Sequence, residues 1–344
     1  MRALLCPGQG SRPTAPLLPD DAAGASARAQ ERLVRESCTA SGLDLPGIVD
    51  AVLERPDDAP LGTHVAQPLT VLVSLLSALG AGLLDAEEET TQAAPPLAEP
   101  GIVVAGHSLG SLTALALAGA LTPVEAVRLA AVRGRAMEAC CTAPDGTRVG
   151  GMVAVVGGRR EDVLADIEAA GLTVANVNGA SQVVASGPFA ALERLRAPER
   201  ARLVPLDVAG PFHSPGMARA APALAAAVGD LPGRALVRGV VDEATGELYP
   251  AGASSRPLLQ ALPAKLTAPV RWDLVEQRLR ELGTDEVTVL APSQALAGLA
   301  RRGLPGAVLT RLDAGRTTWQ HASPDGGQSS RIGRTAPHPG PHPA

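Results

Sequence analysis

The sequence predicts an α/β fold with a hydrolase-like parallel-sheet core and an inserted ferredoxin-like α+β subdomain. One observation is a short apolar run at 101–105 that leads into Gly106-His107-Ser108-Leu109-Gly110 and is followed by an alanine- and leucine-rich run at 112–120. This is the strand–turn–helix context in which a Gly-x-Ser-x-Gly turn occurs in α/β enzymes. A second observation is that residues 150–207 follow a strand–helix–strand–strand–helix–strand order, which is the ferredoxin-like pattern.

The pattern along the chain divides it into three parts. We predict that residues 1–149 and 208–313 form the hydrolase-like α/β core, that residues 150–207 form the small subdomain, and that residues 314–344 form a disordered tail rich in Gly, Ser, Pro and His. Further elements are expected from apolar periodicity and capping signals. They are core strands at 2–6, 236–241 and 287–290, core helices at 27–40, 45–53, 69–84, 122–140, 217–228 and 272–282, and an exposed loop at 87–100.

Composition excludes several classes of function. Hydrophobic residues make up 46% of the 344 residues, aromatic residues 1%, and the net charge is −5. A protein so poor in aromatic residues and without a basic patch is not expected to bind nucleic acid. The four cysteines form no Cys-x-x-Cys motif, and the apolar run at 69–84 is interrupted by serines and a glycine. We therefore expect a cytoplasmic monomer that does not enter a membrane.

Ser108 is the candidate nucleophile. The glycines on either side of the motif suit a tight turn where backbones approach closely, since a residue without a Cβ is needed there. The turn presents the serine hydroxyl to solvent. It also aims the amide of Leu109 and the positive N-terminus of the following helix at an oxyanion formed on the substrate.

A serine nucleophile needs a base, and three histidines precede the predicted tail: His64, His107 and His213. His213 follows a predicted strand at 203–208, in a loop of the kind where catalytic residues of α/β enzymes collect, and is the candidate base. Asp207 and Asp242 are possible acids, but neither has a convincing context. A histidine oriented by a backbone carbonyl fits the spacing better.

Six motifs occur in the order that is typical of one family. They are Pro7-Gly8-Gln9-Gly10-Ser11, Gly106-His107-Ser108-Leu109-Gly110, Val132-Arg133-Gly134-Arg135-Ala136-Met137, Asn176-Val177-Asn178 with Gln182-Val183-Val184, Gly210-Pro211-Phe212-His213-Ser214, and Pro269-Val270-Arg271-Trp272. Over about residues 2–312 the chain resembles the malonyl-CoA:acyl carrier protein transacylases and the related acyltransferase domains of polyketide synthases.

The resemblance implies a role for each matching residue. Ser108 would be acylated with His213 as its general base, and the Gln9 side chain and the Leu109 amide would flank the oxyanion. Arg133 would bind the free carboxylate of the malonyl group, for which a planar guanidinium is suited because it forms paired hydrogen bonds.

The resemblance also implies substrates, partners and further residues that line the site. Gln67 and Asn178 match such positions, although structural roles suit both equally, and Phe212 resembles a bulky residue associated with malonyl rather than branched extender units. Malonyl-CoA would be the donor and the phosphopantetheine thiol of an acyl carrier protein the acceptor. No metal and no redox cofactor is implied.

Three alternatives to malonyl transfer remain open at this point. The chain could be a serine hydrolase that removes mis-loaded acyl groups from carrier proteins, a transferase for a different extender unit, or an inactive scaffold that binds carrier proteins. A hydrolase of neutral acyl groups gains nothing from a buried cation at Arg133. Intact Ser108, His213 and Gln9 argue against the scaffold, and the pathway could be that of fatty acids or of a polyketide.

The chain departs from the family pattern at several positions. Cys6 replaces a usual phenylalanine, Arg12 a glutamine, and Ser111 the glutamate that usually follows the serine motif. Lys265 stands where a glutamine or asparagine would orient the histidine through its main-chain carbonyl, and Ala291-Pro292-Ser293 replaces a Gly-Pro-Gly. These differences indicate a diverged, pathway-specific, discrete acyltransferase.

Overall fold

The chain folds around two β-sheets, and the computed structural model describes residues 1–10, 17, 25–54, 61–84, 101–292, 294–313 and 316–321. The strands are β1 (Arg2–Cys6), β2 (Ile102–Gly106), β3 (Gly151–Gly157), β4 (Thr173–Val177), β5 (Gln182–Gly187), β6 (Ala201–Pro205), β7 (Gly239–Val241), β8 (Leu248–Tyr249), β9 (Glu286–Val289), β10 (Val308–Asp313) and β11 (Arg316–His321). The helices are α1 (Ala25–Ser41), α2 (Leu45–Glu54), α3 (Thr63–Gly80), α4 (Gly110–Leu117), α5 (Pro123–Glu138), α6 (Arg160–Ala169), α7 (Phe189–Leu192), α8 (Ala221–Gly229), α9 (Arg256–Ala261), α10 (Trp272–Glu281) and α11 (Gln294–Gly303).

The main sheet has the strand order β11-β10-β9-β1-β2-β7-β8. Its five central strands pair in parallel, and β8 and β11 pair antiparallel at the two edges. Apolar residues fill β1 and β2 on both faces, as expected where helices cover both sides of a parallel sheet. Cys6 is in register with Gly106, so the turns that follow β1 and β2 lie side by side at the carboxyl edge, where ligands bind in open α/β sheets.

The small sheet, formed by β3 to β6, has the order β4-β5-β3-β6, and all of its pairings are antiparallel. It has an apolar core of its own, to which Val155 on β3 and Ile167 on α6 belong. Main-chain hydrogen bonds attach β4 to the segment before α10: Val177 N donates to Val270 O at 2.8 Å, and Val270 N donates to Ala175 O at 2.9 Å. The small sheet is therefore fixed to the main body by backbone as well as by the chain connections.

Helix α3 lies in the core and begins at Thr63, before the predicted start. Pro68 lies inside it, and the residues before this proline are helical although the ring removes the amide that would bond to the carbonyl of His64. Burial explains why the helix extends beyond the predicted start, since nearly every residue from Gln67 to Leu79 is buried and packing stabilises the whole helix. In the described part of the chain α3 alone is long and apolar enough to cross a membrane, and 78% of it is buried inside the protein.

Helix α5 begins at the predicted residues. Thr122 and Glu125 form a capping box, in which Thr122 N donates to Glu125 Oε2 at 2.7 Å and Glu125 N donates to Thr122 Oγ1 at 3.1 Å. Gly134 lets α5 approach α3 closely, because a Cβ at this position would lie 2.7 Å from the carbonyl oxygen of Thr63. This close approach brings Arg133 on α5 next to Gln67 on α3.

Several predicted boundaries differ from the structure. The second helix of the small subdomain, which the apolar pattern predicts over 189–196, ends at Leu192 as α7, in keeping with the bias against helix before Pro198. Strand β6 covers Ala201–Pro205 rather than 203–208, and β7 begins at Gly239 rather than at residue 236, because apolar loop residues beside a strand give the same pattern as the strand.

Strand β11 lies within the segment predicted as a disordered tail. It pairs antiparallel with β10, so Arg316–His321 continues the main sheet instead of being disordered. The remaining tail residues, 322–344, lie outside the described residues. So do the predicted loop at 87–100, Ser11 and Arg12 of the first motif, and Ser293.

Candidate active site

Ser108 stands at the turn between β2 and α4, with a positive φ of 53°. A side chain is seldom stable in this left-handed region unless the surroundings enforce it, and such strain is typical of functional sites. Both glycines of the motif are required by close contacts. A Cβ on Gly106 would overlap the backbone of Gly110, and a Cβ on Gly110 would overlap the carbonyl of Cys6.

His213 lies within hydrogen-bonding distance of the serine. Its Nε2 atom is 2.7 Å from Ser108 Oγ. Its Nδ1 atom is 2.9 Å from the carbonyl oxygen of Ala268 and 3.1 Å from that of Lys265. Because carbonyl oxygens only accept, Nδ1 carries the proton, and Nε2 is left as the acceptor for the serine hydroxyl. The arrangement is that of a general base.

Burial keeps this histidine neutral. Desolvation and the nearby charge of Arg133 lower the pKa of His213 to about 4, while the hydrogen bonds to Ala268 and Lys265 act in the opposite direction. The imidazole is therefore uncharged at neutral pH, which is the form that can accept a proton.

Neither candidate acid contacts His213. Asp242 bonds to Lys265 Nζ at 2.5 Å, and Asp207 lines the cleft beside the site. The two carbonyls take the position that a carboxylate would occupy. The carbonyl of Lys265 is at the predicted position, and that of Ala268 was not predicted because no side-chain pattern marks an orienting carbonyl.

The other histidines lie apart from this pair. His107 Nε2 is 2.9 Å from Asn178 Oδ1, and its ring is 5.4 Å from that of Trp272. His64 Nδ1 contacts the carboxylate of Glu138, which lines the cleft. Asn178 therefore supports the residue before the serine, while its own Nδ2 donates to Gln182 at 3.1 Å.

One backbone amide of the turn is free to meet an oxyanion. His107 N donates to Cys6 O at 2.9 Å, Gly110 N donates to His107 O at 3.0 Å, and Ser108 N donates to the carboxylate of Glu243. Leu109 N has no acceptor among the described residues. Gln9 lies close by on the turn after β1, where its Oε1 accepts from Gln67 Nε2 at 3.4 Å, and it lines the same cleft.

Arg133 is a buried cation next to the serine. Its Nη1 donates to Gln67 Oε1 at 2.9 Å, and its Nη2 donates to Ser108 Oγ at 3.2 Å. The residue is 7% exposed, so it is no surface arginine. Desolvation lowers its pKa to about 10, against the opposing charge of Glu243. It thus stays protonated at neutral pH with donors left over for an anion.

These residues line one cleft of about 1,090 Å³ between the two sheets. All of the predicted site residues but Leu109 line it: Gln9, Gln67, Ser108, Arg133, Asn178, Phe212 and His213. Phe212 is 7% exposed. Its ring narrows the cleft beside the histidine.

Sequence reasoning missed Glu243, which contacts the serine turn from behind. It is the second residue after β7 and is 3% exposed. Burial raises its pKa to about 7, and Lys265, Ser111 and Ser108 N act against that shift. The only signal in the sequence is the pair of acids, Asp242 and Glu243, that follows an apolar strand, and it does not distinguish Glu243 from a solvent-exposed loop acid.

Comparisons with known proteins agree on one family. The acyl transferase domain family matches residues 5–240. A malonyl CoA-acyl carrier protein transacylase of Mycobacterium bovis is 36% identical over 317 residues, which are 89% of this chain and 94% of that protein. One from Mycolicibacterium smegmatis is 38% identical over 274 residues, which are 77% of this chain and 87% of that protein.

Solved structures agree with the sequence comparison. The crystal structure of MCAT from Mycobacterium tuberculosis superposes with a TM-score of 0.73 at 33% identity and covers 90% of this chain and 95% of that chain. A malonyl-transacylase in complex with a type II PKS acyl-carrier protein superposes with a TM-score of 0.72 at 25% identity, over 91% of this chain and 96% of that chain. The resemblance seen in the motifs is confirmed.

Proposed function

Because the chain belongs to the malonyl CoA-acyl carrier protein transacylase family, we propose that Ser108 carries the malonyl group between the two thiols of the reaction. The enzyme is a malonyltransferase: it moves a malonyl group from malonyl-CoA to an acyl carrier protein, in fatty acid or polyketide synthesis. The observation that carries the assignment to Ser108 is its contact of 2.7 Å with His213 Nε2, beside a buried arginine.

In the first half-reaction Ser108 Oγ attacks the thioester carbonyl carbon of malonyl-CoA. His213 Nε2 takes the hydroxyl proton, and the carbonyls that accept from Nδ1 stabilise the resulting imidazolium. The oxyanion develops against Leu109 N and the Gln9 amide. When the carbon–sulfur bond breaks, the proton passes from Nε2 to the CoA sulfur, which leaves as a thiol.

The second half-reaction reverses these steps with a different thiol. The phosphopantetheine thiol of the carrier protein gives its proton to His213 and attacks the malonyl-serine carbonyl. The carbon–oxygen bond then breaks, and the proton returns to Ser108 Oγ. No metal and no redox cofactor enters this sequence, since acid–base chemistry balances both steps.

Arg133 is the proposed site for the malonyl carboxylate. Its Nη2 is 3.2 Å from the serine oxygen. The free carboxylate of a malonyl group esterified to that oxygen would therefore lie within reach of the guanidinium. Gln67 holds the other nitrogen at 2.9 Å. A buried cation beside the nucleophile favours an anionic acyl group over a neutral one.

Finer assignments belong to the same proposal. The order and antiparallel pairing of the small sheet support a ferredoxin-like subdomain at 150–207 inserted into a hydrolase-like core at 1–149 and 208–313. Phe212 would restrict branched extender units. Burial of α3 and four free cysteines support a cytoplasmic location, and we expect a monomer.

Intact-mass measurement after incubation with malonyl-CoA tests the function. The protein should gain one malonyl group, Ser108→Ala none, and His213→Ala should load slower by about 10²-fold or more because a general base is lost. The label should persist in water and leave when a carrier protein bearing phosphopantetheine is added. Equal labelling of Ser108→Ala would remove the serine from the mechanism, and loss of label without any thiol would favour a hydrolase. Loading from a branched acyl-CoA in preference to malonyl-CoA would favour a different extender unit.

A further inference from the structure

The turn that carries Ser108 is held by a carboxylate from a distant part of the chain. Glu243 lies 135 positions away in sequence, two residues after the end of β7. Its carboxylate accepts the Ser108 N–H, and Ser111, whose hydroxyl is 3.5 Å from Gly106 O, lies beside the same carboxylate. We propose that Glu243 is a positioning residue that holds the nucleophile turn, a role that rests on Ser108 being the nucleophile.

Helix α5 of the same protein shows what such a carboxylate does at a helix start. There Glu125 reaches back three residues and accepts the Thr122 N–H at 2.7 Å. This satisfies one of the amides that a helix start leaves without a partner, and it places a negative charge at the positive end of the helix.

The serine turn lacks a carboxylate of its own at the same spacing. The residue three positions after Ser108 is Ser111, whose side chain is too short to reach back to the Ser108 amide. The Glu243 carboxylate satisfies the Ser108 amide from outside the turn. The acid is therefore supplied by the loop after β7 and not by the turn itself, where Leu109 is the N-cap of α4 and makes no side-chain capping hydrogen bond.

The turn has a specific need for this contact. Ser108 has φ 53°, a strained conformation that persists only where the surroundings enforce it. With Ser108 N bonded to Glu243, the amide that remains free is that of Leu109, which faces the oxyanion. Loss of the carboxylate would leave the Ser108 amide buried without a partner and the serine oxygen less precisely aimed at the substrate.

The same loop is tied to the base. Asp242, the residue before Glu243, bonds to Lys265 Nζ at 2.5 Å, and the carbonyl of Lys265 accepts from His213 Nδ1 at 3.1 Å. Lys265 also acts on Glu243 through its charge. Two neighbouring loops thus hold both members of the Ser108–His213 pair, and the unusual residues Ser111 and Lys265 both belong to this contact network.

Moving the carboxylate to residue 111 tests the proposal. Five proteins are compared: wild type, Glu243→Ala, Ser111→Glu, the double variant Glu243→Ala/Ser111→Glu, and the control Glu125→Gln. Two rates are measured by intact mass and peptide mapping, which are malonylation by malonyl-CoA and phosphonylation of the active-site serine by a fluorophosphonate. Thermal unfolding is recorded for each protein.

We expect Glu243→Ala to slow both reactions by about tenfold or more, because a misplaced nucleophile reacts slowly. Ser111→Glu alone should also slow them, since two carboxylates then compete for one amide. The double variant should regain a rate within about threefold of wild type, because a glutamate three residues after Ser108 can accept the Ser108 N–H in place of Glu243, as Glu125 accepts the Thr122 N–H. Glu125→Gln should lower the melting temperature and leave both rates unchanged.

Wild-type rates in Glu243→Ala would overturn the proposal. So would a double variant that is slowed by the product of the two single effects, because additivity would mean that the two sites act independently. Should Glu243→Ala fail to fold, Glu243→Gln and the double variant give the same comparison. The fluorophosphonate reaction does not involve malonyl-CoA, so failure of malonyl loading in all five proteins would count against the proposed substrate and not against Glu243.

Discussion

Nη2 of Arg133 donates to Oγ of Ser108 at 3.2 Å, so the nucleophile and the cation share a hydrogen bond. The serine oxygen is thereby oriented from two sides, since His213 lies 2.7 Å away on the other. Once Ser108 carries an acyl group, the guanidinium can exchange this contact for the free carboxylate of that group. The predictions below concern this arrangement and the buried acids around it.

Replacement of Arg133 should change the choice of substrate. Arg133→Ala leaves the malonyl carboxylate buried without a partner, which costs several kcal/mol, so malonyl loading should fall by about 10²-fold or more. Acetyl loading should change little or rise, because acetyl-CoA has no such carboxylate. Lysine should rescue in part, since an ammonium lacks the planar fork. The quantity to measure is the ratio of malonyl to acetyl loading.

A suitable control lies on the same helix. Arg128→Ala removes an arginine whose hydrogen bond is to Ala227 O at 3.5 Å, away from the cleft, and should leave the ratio as in wild type. An unchanged ratio in Arg133→Ala would show that the carboxylate binds elsewhere.

Gln67 should affect malonyl-CoA binding through its hydrogen bond with Arg133. Gln67→Ala leaves Nη1 without its acceptor, and we expect KM for malonyl-CoA to rise by about 3- to 10-fold with kcat changed less, because ground-state binding is weakened. Gln67→Glu should be worse, since a carboxylate beside Arg133 would occupy the cation and repel the malonyl group. Steady-state kinetics of wild type and the two variants give the order of KM for malonyl-CoA. A lower KM in Gln67→Glu than in Gln67→Ala would contradict this role for Gln67.

The pH dependence of serine acylation should report two groups. His213, with a pKa of about 4, loses activity as a base only in acid. Glu243 has a pKa of about 7, so its carboxylate form, which holds the turn, prevails above that pH. The groups that face it are Lys265, Asp242 and Arg133. We expect the wild-type rate of phosphonylation to rise through about pH 7.

In Glu243→Gln the rise near pH 7 should disappear while the fall in acid remains. Rates measured between pH 4.5 and 8.5 decide this, with buffers of constant ionic strength as about 0.1 M salt screens surface charges. An inflection near pH 7 that persists in Glu243→Gln would assign it to another group.

Stability should fall as the pH rises, because of a second buried acid. Burial raises the pKa of Glu276 to about 7, although Arg280 and Arg302 act against the shift. The folded state therefore binds a proton that the unfolded state releases above its ordinary pKa, so stability is lost as the pH rises from about 4.5 through 7. Glu276→Gln should recover about 1–3 kcal/mol at pH 8 and little at pH 4.5. Urea unfolding at pH 4.5 and at pH 8 measures the free energy of unfolding of both proteins. An equal effect of Glu276→Gln at the two pH values would contradict a raised pKa of Glu276.

The sequence was sufficient where the determining contacts are local. The strand, turn and helix around Ser108 and the capping box at Thr122 follow from residues within one turn of each other. The motif around Arg133 indicated a site residue, and the structure adds the reason it is buried: Gly134 lets α5 approach α3.

What escaped prediction depends on contacts between distant segments. Ala268 contributes a carbonyl, which any residue type could supply, so its side chain gives no signal. Glu243 looks like an ordinary loop acid until the fold brings it, across 135 positions, to the Ser108 amide. The short strand β7 could not be separated from the buried loop before it, because Leu236 and Val237 in that loop are as apolar as the strand.

The paired hydrogen bonds between β4 and Val270 have a consequence for engineering. Val270 lies two residues after Ala268, whose carbonyl orients His213, so the small sheet and the base share one support. A chimaera that exchanges residues 150–207 for those of a relative would place foreign backbone against this support. Chimaeras made to change the substrate range should therefore exchange residues 264–272 together with the small sheet. His213 then keeps an orienting carbonyl in a segment that matches the strand packed against it.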